Sequence, residues 1–383
     1  MQKILLVLLG NLSLFNSIAQ QTPAWTTAIP RSFSYKKELE KIAFIPGGTT
    51  TIGYALGSEP GVSYQPKTVD YSSFSLWKYE TSNQEYRAFV HWVFDSVCRE
   101  LMGYHRIVNG QKRLDRSKPI DPFNSLLQPL WEEETFPVPG KKRFNMQLLS
   151  YILPNGLTLP VYPDTLAWVH DVPFQYNEPN RARYFIHPAL NNFPVTGISH
   201  AQAVAFCTWK TKMWNEALWA AGDTAHEFLF RLPTAQEWEV AATDRPAVKT
   251  ERGWVYLFPL QKDNQGPYLY NFGEVADKNG FVVKSYNNTG VFYTASCNSY
   301  GASAKGLYHM HGNVSEWTAG TGYLNYDSAN YTIVKGGSWN SEPYYLQPAV
   351  NEYLLPGAQK ATVGFRPLVE YRARQNGQSY VSQ

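Results

Sequence analysis

The side chains that could carry chemistry in this sequence are few, and three cysteines come first among them. Cys98, Cys207 and Cys297 show no Cys-x-x-Cys spacing, which argues against a structural zinc site and against a dithiol redox centre. Cys98 and Cys207 fall on apolar helical patterns, where buried and inert thiols are expected. Cys297 lies in a polar, loop-like stretch without a predicted role, and at most one disulfide can form.

A short histidine-containing stretch and one pair of carboxylates are the other candidates. His309, His311 and Glu316 have the side-chain types of the two-histidine, one-carboxylate set that binds iron. Their spacing along an extended or turn segment argues against three ligands that converge on one ion. Glu237 and Glu239 follow a helix start, and we interpret them as capping and core-side residues rather than as a catalytic carboxylate pair.

Three helices are predicted to position these residues. Each begins with a capping box, a four-residue run whose first and last side chains bond free backbone N–H groups. These runs are Ser82–Glu85, Ser199–Gln202 and Thr234–Glu237. Apolar residues recur three and four positions apart after each run, so each helix should present one apolar face to a shared core. Elsewhere, short extended stretches broken by Gly, Pro and Asn predict a loop-rich fold, with Pro154–Gly156 as a hairpin turn.

The composition describes a well-folded chain with little charge. Of 383 residues, 17% are charged and 44% are hydrophobic, and the formal net charge is +3. These values exclude intrinsic disorder over most of the length and argue against a basic nucleic-acid-binding surface. No internal repeat or linker interrupts the sequence before a polar tail at residues 372–383, so we expect a single domain.

The N-terminus has the features of a removable signal peptide. Lys3 precedes the apolar run Ile4–Leu9, and a small-residue stretch ends at Ala19. We therefore predict a signal peptide at residues 1–19, an N-terminal segment at residues 20–43, and a location in the periplasm or outside the cell. The apolar run is too short to span a membrane, and no cysteine near the cleavage point offers a lipid anchor.

Seven short motifs occur in a single order between residues 44 and 369. They are Ile45–Gly48, Lys78–Asn83, Pro194–Ser199, Arg231–Glu239, Gly312–Trp317, Gly336–Trp339 and Gly364–Arg366. In this order they resemble the sulfatase-modifying-factor family, whose best-known member is the formylglycine-generating enzyme. The resemblance implies an α+β fold: a single, irregular, loop-rich domain at residues 44–371, related to C-type lectins and carrying an insertion.

The insertion, residues 103–190, is longer than the compact members of the family need. It contains Tyr162–Asp171 and Tyr176–Pro179, and Phe89–Val93 precedes it. These residues resemble the K-type gliding-motility lipoproteins of Bacteroidetes, which help to build the type IX secretion machine. Since those proteins are lipidated at a cysteine that this chain lacks, the resemblance implies a soluble paralogue of the K or J type that reaches the membrane only through partners.

The enzymes of the family bind copper through two cysteines that follow the Gly-Gly-Ser run. In register, these positions fall on Ser341 and Leu346. A hydroxyl does not hold Cu(I) as a thiolate does, and a leucine side chain cannot bind a metal ion. We therefore expect no copper and no formylglycine reaction by this route.

The family also binds structural calcium through hard oxygen ligands, and the resemblance places two such sites in this sequence. The first takes the carbonyls of Gly312 and Val314 and the carboxylate of Glu316, with His309 where the family has an amide. A second, weaker site comprises Asn271, Phe272, Asn279 and Phe281. The alternative for Glu316 is to cap local backbone donors while Trp317 fills the core.

Aromatic residues are abundant, with 12 Trp and 26 Tyr. Both types favour interfaces, because they combine apolar area with a polar tip. The resemblance puts Trp339, Tyr344 and Tyr345 beside the position of the lost copper site, where the enzymes have their substrate groove. There they could bind a peptide, a glycan or a neighbouring subunit, or they could pack the interior.

The first functional hypothesis is a non-catalytic assembly protein of the periplasm, acting as an oligomeric scaffold among the envelope proteins of a type IX secretion or gliding-motility complex. The insertion, with Arg113 and the run Lys141–Arg143, would supply the partner-facing surface. The alternatives are a metal-dependent oxidoreductase of the formylglycine-generating type with a non-standard site, and a glycan-binding module favoured by aromatic content and fold analogy.

Overall fold

The computed structural model describes most of the chain between residues 35 and 374. The described ranges are 35–53, 55, 65–108, 110–134, 141–171, 183–243, 248–250, 253–255, 269–273, 291, 293–322 and 330–374. The predicted signal peptide and two of the predicted calcium ligands, Asn279 and Phe281, lie outside these ranges. Within them, no helix combines the length and apolar character needed to cross a membrane.

Helices and strands alternate irregularly along the chain, which confirms the predicted mixed α+β class. The helices are α1 (Tyr35–Glu38), α2 (Asn83–Leu101), α3 (Ala167–Asp171), α4 (His200–Ala220) and α5 (Ala235–Ala242). The strands are β1 (Ile42–Ile45), β2 (Gly48–Ile52), β3 (Lys67–Tyr71), β4 (Phe74–Trp77), β5 (His105–Val108), β6 (Gln111–Leu114), β7 (Trp131–Glu134), β8 (Lys141–Phe144), β9 (Ser150–Ile152), β10 (Thr158–Pro160), β11 (His226–Arg231), β12 (Val248–Thr250), β13 (Gly253–Val255), β14 (Ser315–Gly322), β15 (Tyr331–Lys335), β16 (Glu352–Leu354), β17 (Val363–Gly364) and β18 (Leu368–Ala373).

The described residues fall into two compact units. The insert unit comprises Val90–Leu149, and the main unit comprises Ser34–Phe89 together with Ser150–Tyr380. The insert unit therefore takes in residues 103–149 of the predicted insertion. Residues 150–190 of that insertion belong instead to the main unit, where β9 and β10 form the hairpin predicted around Pro154–Gly156.

Two four-stranded sheets form the framework of the main unit. One has the order β1-β4-β18-β11 with antiparallel neighbours, and the other has the order β16-β15-β14-β17, in which β14 and β17 run parallel. Arg372 and Ala373, which the sequence assigned to the polar tail, extend β18 because they pair with Glu227 and His226 of β11. The tail therefore begins later than predicted.

The three predicted capping boxes are present. Ser199 caps α4 and Thr234 caps α5, each with a reciprocal bond from the side chain three residues on. At α2, the N–H of Ser82 donates to Glu85, and the N–H of Glu85 donates back to the hydroxyl of Ser82. Local capping thus sets where these helices begin, and most of the apolar residues of α4 and α5 are buried in the main unit.

The insert unit has its own interior. Phe94 packs edge-to-face on Phe144, which contacts Trp131 at 4.3 Å between ring centroids. In the same unit, the fully buried Arg99 donates from Nε to Asp95 at 2.8 Å and from Nη1 to two backbone carbonyls at 2.7 Å. Because the buried charge is paired and its donors are bonded, the unit holds together around both contacts.

Candidate functional site

The segment in which the sequence resemblance places the two copper positions forms a closed turn. Gly336 and Gly337 adopt positive φ angles of 94° and 66°, which lead the chain from β15 into the turn. The hydroxyl of Ser341 accepts a hydrogen bond from the N–H of Ser338 at 2.9 Å and lies 3.0 Å from the hydroxyl of that residue. Its carbonyl accepts from the N–H of Gly273 at 2.9 Å. The polar groups of Ser341 therefore hold the turn.

Leu346, at the second copper position, is a core residue with no solvent exposure. A Cβ built on Gly337 would lie 3.0 Å from its Cδ1, so the leucine fills the space under the glycine pair. Its carbonyl accepts a hydrogen bond from Nδ1 of His311 at 2.9 Å. The hydroxyl of Ser341 is bonded within its turn, and the side chain of Leu346 is aliphatic and buried. These two residues therefore do not provide ligands that fit a Cu(I) ion.

Trp339 does not line an exposed groove, contrary to the sequence interpretation. It is 3% exposed and stacks on Trp168 with 5.6 Å between ring centroids and 7° between ring planes. Tyr293 packs against it edge-to-face, and its indole N–H donates to the carbonyl of Ala361 at 3.2 Å. The alternative of interior packing therefore applies to this residue.

Tyr344 and Tyr345 are half-buried rather than enclosed. Their rings contact each other edge-to-face, with centroids 5.2 Å apart. Both belong to a 3₁₀ turn over Pro343–Leu346, whose last residue is anchored in the core. Of the three predicted groove residues, these two alone present part of their surface to solvent.

A buried ion pair joins two of the recognised motifs. Nε of Arg366 donates to both oxygens of Glu316 at 2.8 and 2.7 Å, and Nη2 donates to Oε1 at 2.6 Å. The indole N–H of Trp238 donates to Oε2 at 2.7 Å. Since a carboxylate offers about four lone-pair sites, these four contacts saturate Glu316. Arg366 is therefore a buried structural residue.

A second carboxylate, which sequence reasoning missed, lies in the same cluster. Glu80 has no solvent exposure; its Oε2 accepts from Nδ2 of Asn313 at 2.6 Å and its Oε1 from the N–H of Val314 at 3.1 Å. Burial, together with the nearby charge of Glu316, raises the pKa of the Glu80 carboxyl well above its usual range. The sequence signal that could have pointed to Glu80 was its position inside the recognised motif Lys78–Asn83.

The two histidines do not converge with Glu316 on one point. Nε2 of His309 lies 3.0 Å from the carbonyl of Ser296, whereas Nδ1 of His311 contacts Leu346. Burial lowers the pKa of each histidine to about 4. Among the described residues, no group of three or more His, Cys, Asp or Glu side chains is arranged to hold a metal ion. The iron triad considered from the sequence is therefore not assembled here.

The predicted calcium loop is tightly bonded to its neighbours. The N–H of Gly312 donates to Gly336, and the amide of Asn271 donates to the carbonyl of Tyr293 at 2.6 Å and to Asn313 at 3.0 Å. The carbonyl of Asn271 accepts from the N–H of Asn313 at 2.7 Å, and Phe272 is buried beside it. Calcium binding through Gly312, Val314 and the Asn271 segment stays a prediction. The carboxylate assigned to it, Glu316, is occupied by Arg366 and Trp238.

All three thiols are free and buried. Burial raises the pKa of Cys98 and of Cys207 to about 12, and it raises the pKa of Cys297 well above the usual range. A thiol with such a pKa remains protonated at neutral pH, and the thiolate is the form that binds metal ions. None of the three thiols is therefore in the form that binds a metal ion.

Comparison with known proteins supports the same family. A formylglycine-generating enzyme of Thermomonospora curvata is 23% identical over 369 residues, which cover 90% of this chain and 98% of the relative. The mouse formylglycine-generating enzyme is 27% identical over 192 residues, covering 46% of this chain and 44% of the relative. The serine/threonine-protein kinase pkn1 of Chlamydia caviae is 28% identical over 236 residues, but these cover 58% of this chain and only 31% of the kinase.

Among solved structures, PvdO of Pseudomonas aeruginosa aligns over 86% of this chain and 94% of its own, with a TM-score of 0.44 and 15% identity. The family model described as the sulfatase-modifying factor enzyme 1-like domain matches residues 30–371. That range includes the capping boxes, the buried ion pair and the turn at Ser341. The chain therefore belongs to the sulfatase-modifying factor enzyme 1-like family.

Proposed function

We propose that this member of the family is a non-catalytic assembly protein of the cell envelope, which uses the domain as a scaffold in a type IX secretion or gliding-motility complex. The observation that carries the proposal is the state of the two copper positions. Ser341 bonds within its own turn, and Leu346 fills the core beneath Gly337. The site that defines the family's enzymes has become part of the framework.

The recognised motifs serve the same framework. Arg366 bonds Glu316 and donates from Nη1 to the carbonyl of Lys78 at 3.0 Å and from Nη2 to that of Tyr308 at 2.7 Å. Glu80, in another motif, accepts a hydrogen bond from the side-chain amide of Asn313. Because these polar groups are paired with one another in the interior, the sequence similarity to the enzymes reflects how the chain folds. It gives no support for shared catalysis.

The insert unit offers the surface for a partner. Phe123 is 83% exposed and Ile107 is 71% exposed, while Leu126 and Leu148 are each 53% exposed. Phe123 stacks on Trp131 with 6.5 Å between ring centroids. Exposed apolar and aromatic side chains of this kind favour protein–protein contact. The predicted basic residue Arg143 pairs with Glu132 in the same unit at 2.7 Å.

The envelope setting is the part of the proposal that rests on the sequence. The predicted signal peptide supports export, and the residues around Tyr162–Asp171 support a relation to the K and J types of gliding-motility protein. A soluble scaffold would then reach the membrane through its partners. The assembly would be oligomeric, as expected for a structural component.

The catalytic alternative is tested by metal analysis and turnover. Protein purified from its native envelope should contain no stoichiometric copper or iron, and it should not oxidise a cysteine peptide in the presence of oxygen. One tightly bound redox metal per chain, with oxygen-dependent turnover, would replace the scaffold proposal with an oxidoreductase.

The partner surface is tested by crosslinking and mass spectrometry in intact envelopes. The double variant Phe123→Ser, Leu126→Ser should lose crosslinks from the insert unit to secretion or gliding proteins, whereas Leu355→Ser, a control with equal 53% exposure in the main unit, should keep them. Unchanged crosslinks in the double variant would contradict the role of this surface. Selective retention on immobilised glycans would favour the glycan-binding alternative.

A further inference from the structure

A buried lysine, a carboxamide and a carboxylate meet beside the second sheet. Nζ of Lys335, a side chain only 1% exposed, lies 2.8 Å from Oδ1 of Asn351 and 3.4 Å from Oε2 of Glu239. Neither of these two contacts involves Ser341, Leu346, Glu80 or Glu316. Lys335, Asn351 and Glu239 therefore form a buried polar cluster that is separate from the site described above.

The fold brings these residues together by register. Lys335 ends β15, and β15 pairs with β16 so that Val334 lies opposite Glu352. The next pair in this register is Lys335 opposite Asn351, and residues directly opposite on antiparallel strands have Cβ atoms about 4.5–5.5 Å apart. Glu239 approaches from α5, where its Oε1 accepts the N–H of Gly53 at 2.7 Å and is held in place.

We propose that Lys335 and Asn351 form an intramolecular isopeptide bond, with Glu239 as the residue that transfers the protons. The carbon of the Asn351 carboxamide lies no more than about 4 Å from Nζ, since a C=O bond adds about 1.2 Å to the observed contact. That separation is close to the distance at which bound groups react. The fully buried ring of Trp238, with its centroid 6.0 Å from Nζ, helps to keep water away.

The reaction needs no oxidant and no added reagent. One proton of the Lys335 ammonium passes to Glu239, and the neutral amine attacks Cγ of Asn351. The Nζ–Cγ bond forms, a second proton of Nζ reaches Nδ2 through the Glu239 carboxyl group, and the Cγ–Nδ2 bond breaks. The nitrogen leaves as ammonia, and Glu239 ends protonated. Burial lowers the pKa of the Lys335 ammonium, which favours the neutral, nucleophilic amine.

The bond can be detected by digesting the denatured full chain. Trypsin cuts after Lys305, Lys335 and Lys360, so an unlinked chain yields residues 306–335 and 336–360 as separate peptides. An acylated Lys335 resists trypsin, so the linked chain yields residues 306–360 as one peptide, lighter than its sequence by the mass of ammonia, about 17 Da. Further cleavage with chymotrypsin after Trp339 should leave two segments covalently joined through Lys335 and Asn351. Full-mass peptides 306–335 and 336–360 would overturn the proposal.

The variant Glu239→Gln keeps the shape of the proton-transferring residue and leaves Lys335 and Asn351 in place. It should restore complete cleavage after Lys335, and a persistent link in this variant would overturn the role given to Glu239. Complete cleavage after Lys210, a lysine that is also buried and lies 4.0 Å from Glu85, serves as the internal control for digestion. The wild-type peptide decides the main question even if the variant does not fold.

Discussion

Arg366 holds Glu316 through three N–H···O contacts of 2.6–2.8 Å, and neither side chain is more than 1% exposed. The pair stands where the family relationship suggested a calcium carboxylate, and it connects β14 to the segment that follows β17. Around it lie Trp238 and the carbonyls of Lys78 and Tyr308. This arrangement makes the pair a structural centre of the main unit.

Arg366→Met should lower the free energy of unfolding by about 3–5 kcal/mol, because it leaves the Glu316 carboxylate buried without its cation. Urea unfolding followed by tryptophan fluorescence measures this change. Arg143→Met, which removes an exposed pair with Glu132, is the matched control and should change stability by less than about 1 kcal/mol. Equal effects of the two substitutions would contradict the central role of Arg366.

Gly312 and Gly301 form a natural pair for separating a steric clash from backbone strain. Their φ angles are 86° and 84°, but a Cβ at Gly312 would lie 2.3 Å from the carbonyl oxygen of Asn271, whereas nothing lies within 4 Å at Gly301. Gly301→Ala should cost about 1–2 kcal/mol, the strain of a left-handed backbone. Gly312→Ala should cost clearly more, or prevent folding. Equal melting temperatures for the two variants would show that the chain at Asn271 can move aside.

Stability should fall on acidification between pH 6.5 and about pH 4 through the buried histidines. Burial lowers the pKa of His309 and His311 to about 4, so the unfolded chain binds more protons than the folded chain in that window. Each histidine then contributes a slope of about 1.4 kcal/mol per pH unit. The raised pKa of Glu80 acts in the opposite direction, since its protonated form is favoured in the folded chain.

The histidine contribution can be isolated with His311→Asn, which keeps a donor for the carbonyl of Leu346. Urea unfolding at several pH values between 7 and 4.5 should show a shallower dependence for this variant than for the unmodified chain. Parallel pH profiles would mean that His311 titrates alike in both states.

The three thiols should be unreactive while the chain is folded. Cys98, Cys207 and Cys297 are buried and have raised pKa values, so a thiol-reactive disulfide reagent should modify none of them at neutral pH. All three should react after denaturation. Rapid reaction of one thiol in the folded chain would reveal an accessible thiolate and would reopen the question of a metal ligand.

Local features were the most predictable part of this structure. The capping boxes at Ser82, Ser199 and Thr234 involve residues three positions apart, so the helix starts follow from the sequence alone. The assignment of the family's two copper positions to Ser341 and Leu346 needs only a register within a recognised motif, and it stays a prediction. The structure adds the contacts that these two residues make.

Contacts between distant segments could not be predicted in the same way. Glu80 and Asn313 are 233 residues apart, and no local pattern links them. Trp339 was expected at a groove because it neighbours the copper positions in sequence, yet Trp168 and Tyr293 come from other parts of the chain and enclose it. Periodicity reports which face of an element is apolar, but it does not report which element covers that face.

The place of β18 has a consequence for how the chain is made. This strand, residues 368–373, is synthesised after the other described strands, yet it lies inside its sheet and separates β4 from β11. Until β18 has emerged from the ribosome, β4 and β11 lack the strand that lies between them. The carboxylate of Glu316 likewise lacks its partner Arg366 until that residue has been synthesised. A nascent chain should therefore complete the interior of the main unit only after residues 366–373 have been synthesised.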